Sequence, residues 1–187
     1  VSSTPRRAVV VLAPGFEEIE ATTPIDVLRR AGVEVIVAGL QTPAVVGAHG
    51  LGLSVDLLLD QLSGDVDALI LPGGLPGAAN LAASEEVGEW IQRVASGGGV
   101  VAAICAAPAL VLAPSGVLAG KRATCYPGFE DRFPSEAQHE EARVVVDGRL
   151  ITSRGPGTAL EFSLALVAEL VSPERAAELA QGMLAGA

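Results

Sequence analysis

Short, almost wholly apolar runs recur along the chain, and each stops at glycine, proline or cysteine. Residues 8–13 (AVVVLA) end at Pro14-Gly15, residues 66–71 (VDALIL) at Pro72-Gly73-Gly74, and the five residues VVAAI that follow Gly97-Gly98-Gly99 end at Cys105. Residues 34–38 (EVIVA) form a similar run before Gly39. A strand without alternation has no polar face to give to water, so these runs predict parallel strands covered on both sides.

The stretches between them carry helical spacing. In residues 17–32, Ile19, Ile25, Val27 and Leu28 supply an inward face and Gly32 a C-terminal stop, with Pro24 interrupting the first turns. Ser84 before Glu85 and Glu86 predicts the start of a helix that carries Val87, Trp90, Ile91 and Val94 on one side. Helix formers follow Cys105 as far as Ala113, a long amphipathic helix fits residues 159–170, and Ser172-Pro173-Glu174 opens a last one. Residues 43–62 alternate loosely and suggest a small hairpin excursion. Residues 121–125 fit a short strand and 127–133 a turn or short helix. Residues 143–147 and 149–152 flank Asp147-Gly148, a strong hairpin signal. Strands alternating with helices throughout predict one doubly wound α/β domain over residues 7–187, a three-layer sandwich, preceded by a flexible tail over residues 1–6.

Composition narrows this picture. Of 187 residues half are hydrophobic and only 3% aromatic, so the core is aliphatic. The net charge of −10, with Lys and Arg scattered, argues against nucleic acid and against an anionic membrane surface as partners. No apolar run approaches the length of a membrane span, and VSSTPRR lacks the apolar segment of a secretory signal. Two cysteines make no disulfide framework, which suits a reducing compartment: the cytoplasm, or an organelle matrix if VSSTPRR is the end of a removed transit peptide. Two histidines, His49 and His139, with no clustered ligands, argue against zinc.

In an open α/β sheet, sites form beyond the carboxyl ends of the strands. Three loops leave strands at that end, spanning residues 14–20, 72–77 and 105–108, and they hold three acids (Glu17, Glu18, Glu20), a glycine pair with free N–H groups, and a thiol. Together these suggest a base, an oxyanion hole and a nucleophile. A thiol at a helix start faces N–H groups and the positive end of the helix, which predicts a lowered pKa for Cys105. Spacing leaves open which glutamate faces it, and a free cysteine is also a common small core residue. Cys125 has no comparable setting.

Four motifs in order, GFEEIEA at residues 15–21, LPGG at 71–74, AAICAAP at 102–108 and TSRGPGTALEF at 152–162, resemble the DJ-1 branch of the DJ-1/PfpI superfamily. The likeness is collinear from about residue 7 to residue 170. It implies a flavodoxin-like α/β/α sandwich with a mostly parallel sheet, and a homodimer. It places the family's nucleophile-elbow cysteine on Cys105, its partner glutamate on Glu20, and its oxyanion groups on Gly73 and Gly74, joined by the N–H of Ala106. The implied activity is cofactor-free conversion of methylglyoxal or glyoxal to hydroxy acids, with removal of glycated adducts as an extension and no metal. An alternative is a redox-responsive, stress-protective or chaperone-like protein switched by oxidation of Cys105. The chain departs from relatives at Tyr126, where many carry histidine, and at Ala106, where the peptidase branch has histidine. The second departure argues against peptidase and glutamine amidotransferase chemistry. His49 stands where an arginine is expected near the pocket, and Glu17, His49 and Tyr126 are further pocket candidates.

Overall fold

The computed structural model describes residues 5–185; residues 1–4 of the expected tail, and 186–187, lie outside the described residues. The chain opens with β1 (Arg7–Leu12), α1 (Glu18–Arg30) and β2 (Glu34–Gly39). A hairpin of β3 (Ala44–Val46) and β4 (Gly52–Ser54) and a two-residue β5 (Leu57–Leu58) follow. Next come β6 (Ala68–Leu71), α2 (Gly77–Ala82), α3 (Glu85–Ser96) and β7 (Val100–Ile104). A π-helical turn over Pro108–Leu112 leads into α4 (Ala113–Ser115). The remainder is β8 (Arg122–Ala123), β9 (Gln138–His139), β10 (Val144–Asp147), β11 (Leu150–Ser153), α5 (Ala159–Leu170) and α6 (Pro173–Gly182).

Seven strands form one sheet in the order β10-β11-β7-β6-β1-β2-β5, parallel except for β10, which pairs antiparallel with β11 across Asp147-Gly148. The chain runs outward from β1 in both directions, so the carboxyl ends of β1 and β6 flank the point where strand order reverses, where such sheets open a crevice. Apolar runs become two-sided strands. In β1, Ala8, Val10 and Leu12 face one core cluster, and Val9 and Val11 face the other, with Ala13 just beyond the strand. The first cluster is closed by α1, α5 and α6 through Val27, Leu28, Phe162, Leu166 and Ala176, the second by α2 and α3 through Leu81, Val87 and Ile91.

Some expectations change. The helix of residues 17–32 forms through Pro24, but Ile19 is half exposed and does not join the inward face. The strand expected at 121–125 is only Arg122–Ala123, pairing with β9 outside the main sheet. The excursion at 43–62 is the β3–β4 hairpin, after which β5 returns as the edge of the main sheet. Among the described residues no helix is long and apolar enough to cross a membrane.

Candidate active site

β7 ends at Cys105, which turns the chain with φ of +65°. Left-handed backbone costs a residue with a Cβ about 1–2 kcal/mol, so the turn must be held from outside. Two backbone bonds do this: Cys105 N donates to Ser153 O at the end of β11 (2.9 Å), and Tyr126 N donates to Cys105 O (2.8 Å). Behind this anchor the Ser153 hydroxyl bonds to Arg143 O (2.8 Å) and lies 2.6 Å from Thr158 Oγ1. The thiol is thereby lifted out of the sheet, half-buried, over the carboxyl ends of the strands.

Glu20 reaches the same place from the first turn of α1. It is fully buried, and its Oε2 accepts from Gly73 N at 2.8 Å. The approach is close enough to require glycine. A Cβ on Gly73 would lie 2.6 Å from Cys105 Cβ and 2.7 Å from Glu20 Oε2. Glu20 interacts with the thiol, yet Oε1 has no well-formed hydrogen bond, so the contact with sulfur is one of proximity rather than alignment. Glu17 caps α1 by accepting from Glu20 N (2.8 Å), which fixes the first turn and with it the direction of Glu20.

Burial dominates the protonation of this pair. It pushes the Glu20 carboxyl up to about 7; the Glu17 charge adds to the rise, while the thiol contact and Gly73 N–H oppose it. Burial likewise pushes the Cys105 thiol up to about 12, followed by the charge and close approach of Glu20, against the N–H groups of Gly74 and Ala106. The lowering expected from a helix start is therefore present in those two N–H groups but outweighed. Near neutrality the pair exchanges one proton with solvent and holds the other far into the alkaline range.

The three loops expected to converge do so, with changed roles. Gly73 N–H is committed to Glu20, so of the three expected oxyanion donors only Gly74 and Ala106 act on the sulfur. Gly74, at φ +86°, sits against Glu17 N and Gly15 O. Tyr126 is half exposed, its ring edge-on to Phe129 and packed on Gly155. His49 does not turn toward Cys105: its Nδ1 lies 2.8 Å from Glu18 Oε2, and its backbone N donates to Glu18 Oε1 at 2.6 Å. Cys125 is fully buried, and burial pushes its thiol up to about 11. Sequence reasoning missed Ser153 as the anchor of the elbow; its position inside the TSRGPGT motif was the available signal.

A thiol on a strained strand-to-helix turn, backed by a buried carboxyl at the switch point of a parallel sheet, defines an elbow-cysteine α/β sandwich. The chain belongs to the DJ-1/PfpI family, whose sequence model matches residues 6–169. It is similar to the crystal structure of Drosophila melanogaster DJ-1beta, with a TM-score of 0.93 and 43% identity over 98% of this chain and 100% of that one. It is 41% identical to protein DJ-1 homolog B of Arabidopsis thaliana over 96% of this chain, and spans only 41% of that longer protein. A Caenorhabditis elegans relative named glutathione-independent glyoxalase DJR-1.2 is 38% identical over 91% of both chains.

Proposed function

We propose that the protein is a cofactor-independent glyoxalase that converts methylglyoxal and glyoxal to hydroxy acids. The observation that carries this reading is the buried Glu20 carboxyl, titrating near 7, in contact with the elbow thiol. Cys105 adds to the aldehyde carbon as its proton passes by way of Glu20 to the carbonyl oxygen, giving a hemithioacetal whose oxygen faces the Gly74 and Ala106 N–H groups and leaving Glu20 ionised. Glu20 then removes the proton from that carbon and returns one to the neighbouring carbon through an enediol, leaving the thioester of the hydroxy acid. Water hydrolyses the thioester and restores the thiol. Overall one water is consumed and no electron acceptor is needed. Glycated adducts that retain a hemithioacetal or hemiaminal would enter at the same carbon. The relative named as a glutathione-independent glyoxalase supports the reaction class.

The test is hydroxy-acid formation from methylglyoxal by reduced protein without glutathione. Cys105→Ser and Glu20→Gln are expected to remove it. If the reduced parent forms none, the enzyme reading falls. The redox reading would then stand in its place, because the same two N–H groups suit the oxygens of an oxidised sulfur at a half-buried thiol.

We also propose a homodimer. Ile19, Val46 and Leu51 are each about half exposed. Ile19 lies in the first turn of α1 and Val46 and Leu51 in the β3–β4 hairpin, which is joined to the segment before α1 through Gly15 N to Val46 O (2.8 Å) and Ala48 N to Phe16 O (2.8 Å). An apolar patch so placed suits a second copy of the chain.

A further inference from the structure

The pairing of His49 with Glu18 leaves a donor set that the dicarbonyl chemistry does not use. Glu17 and Glu18 are more than nine-tenths buried at the start of the thirteen-residue helix α1, and His49 comes to them from the β3–β4 hairpin. One oxygen of each glutamate and one imidazole nitrogen lie within 4.8 Å of one another. Glu17 has one oxygen engaged as the helix cap, and no ion pair reaches it among the described residues. With Glu20, three carboxyl groups are buried within four residues, and His49 is the one basic side chain in contact with them among the described residues. The hairpin is closed tightly on this group: a Cβ on Gly47 would fall 2.5 Å from the Glu18 carboxyl carbon.

We propose that Glu17, Glu18 and His49 form a binding site for a divalent transition cation of the zinc class. Imidazole and carboxylate donors bind such an ion at about 2.0–2.2 Å, which sets its donors roughly 3–4 Å apart. The three donors lie within 4.8 Å of one another, so small side-chain shifts bring them to that spacing. The shortest separation, 2.8 Å between His49 Nδ1 and Glu18 Oε2, opens by a small swing of an imidazole whose side chain is 75% exposed. The ion takes the place of the proton shared by those two atoms; that proton leaves to solvent, or moves to Nε2 if the ring starts neutral. The nitrogen donor favours zinc or copper over calcium and magnesium, which select oxygen. The remaining coordination positions are left to water. The site rests on this geometry and stands apart from the glyoxalase reading.

The experiment titrates Zn2+ into the full chain carrying Cys105→Ser and Cys125→Ser, so that no thiolate competes, and follows binding by calorimetry and X-ray absorption. One ion per chain with a nitrogen and oxygen shell is expected. His49→Arg keeps a cation beside Glu18, and so keeps the hairpin closed, but cannot ligate; it should weaken binding by at least about tenfold. His139→Asn should leave binding unchanged. Absence of binding in the double serine protein overturns the proposal, as does undiminished binding by His49→Arg. Loss of binding in His139→Asn would place the ion elsewhere and overturn it as well.

Discussion

Replacing Glu20 by glutamine tests whether burial sets the protonation of the site. The amide has nearly the same shape and can still accept from Gly73 N, but it cannot ionise. A carboxyl whose pKa rises on folding, here from 4.5 to about 7, holds its proton more tightly in the folded state. The stability it contributes is complete below its unfolded value and is lost as the pH climbs through the folded one. Between about pH 5 and pH 8 the parent should therefore lose about 2–3 kcal/mol that Glu20→Gln does not lose. Other titrating groups are common to both proteins and cancel in the difference. Below about pH 8 the thiol keeps its proton folded and unfolded. Urea unfolding of both proteins, reduced and with a chelator present, measures the quantity. The gap between their midpoints should move by about 1 M or more toward the variant across that range. A gap constant to within about 0.5 kcal/mol would show that Glu20 ionises as an ordinary surface carboxyl, and the proton-shuttle argument would fail with it.

Gly73→Ala places a methyl group 2.6 Å from Cys105 Cβ and 2.7 Å from Glu20 Oε2. It should cost about 1–3 kcal/mol by denaturant unfolding, and turnover should fall further than stability alone accounts for. Phe162→Ala, emptying a fully buried position on α5 against α1, should cost about 3–5 kcal/mol and leave KM nearly unchanged while the protein is folded. Ile19→Glu sets a charge in the apolar patch proposed to meet a second copy, and sedimentation should show the dimer dissociation constant raised at least about tenfold. A parent that sediments as a monomer would remove the dimer proposal.

The strands were legible because burial on both faces leaves a mark in sequence: Val9, Val10 and Val11 are apolar in succession because each has a core to enter. The long helix over Ala159–Leu170 was legible for a related reason, since its spacing and the preceding glycine-rich loop fix both face and start. Ile19 misled because an apolar residue on a helix face fits a contact between chains as well as a core. The short α2 over Gly77–Ala82 left little signal, being composed of small residues beside glycines already read as a loop. The partnership of Glu18 with His49 joins residues 31 apart in the chain, through a hairpin whose docking no local pattern encodes.

The thiol's protonation was illegible for a deeper reason. Motif and spacing place Cys105 at the start of a helix, and two N–H groups do act on its sulfur. How far those dipoles succeed depends on how much water the site excludes, and that is fixed by the closure of β1, β6 and β7 loops around one point. Here desolvation outweighs the dipoles, and the adjacent buried carboxylate adds to it. The consequence bears on mechanism. Because burial and the Glu20 charge both favour the protonated thiol, addition is helped when its proton has somewhere to go. Glu20, titrating near 7, provides that place within contact distance. Addition is then favoured for electrophiles small enough to reach sulfur and to put their oxygen against Gly74 and Ala106 N–H while Glu20 takes the proton. An amide meets neither need well, since expulsion of an amine requires a proton from a donor aligned with the leaving nitrogen. The residue after the nucleophile is Ala106, and His49 is turned away onto Glu18, so neither position supplies that donor.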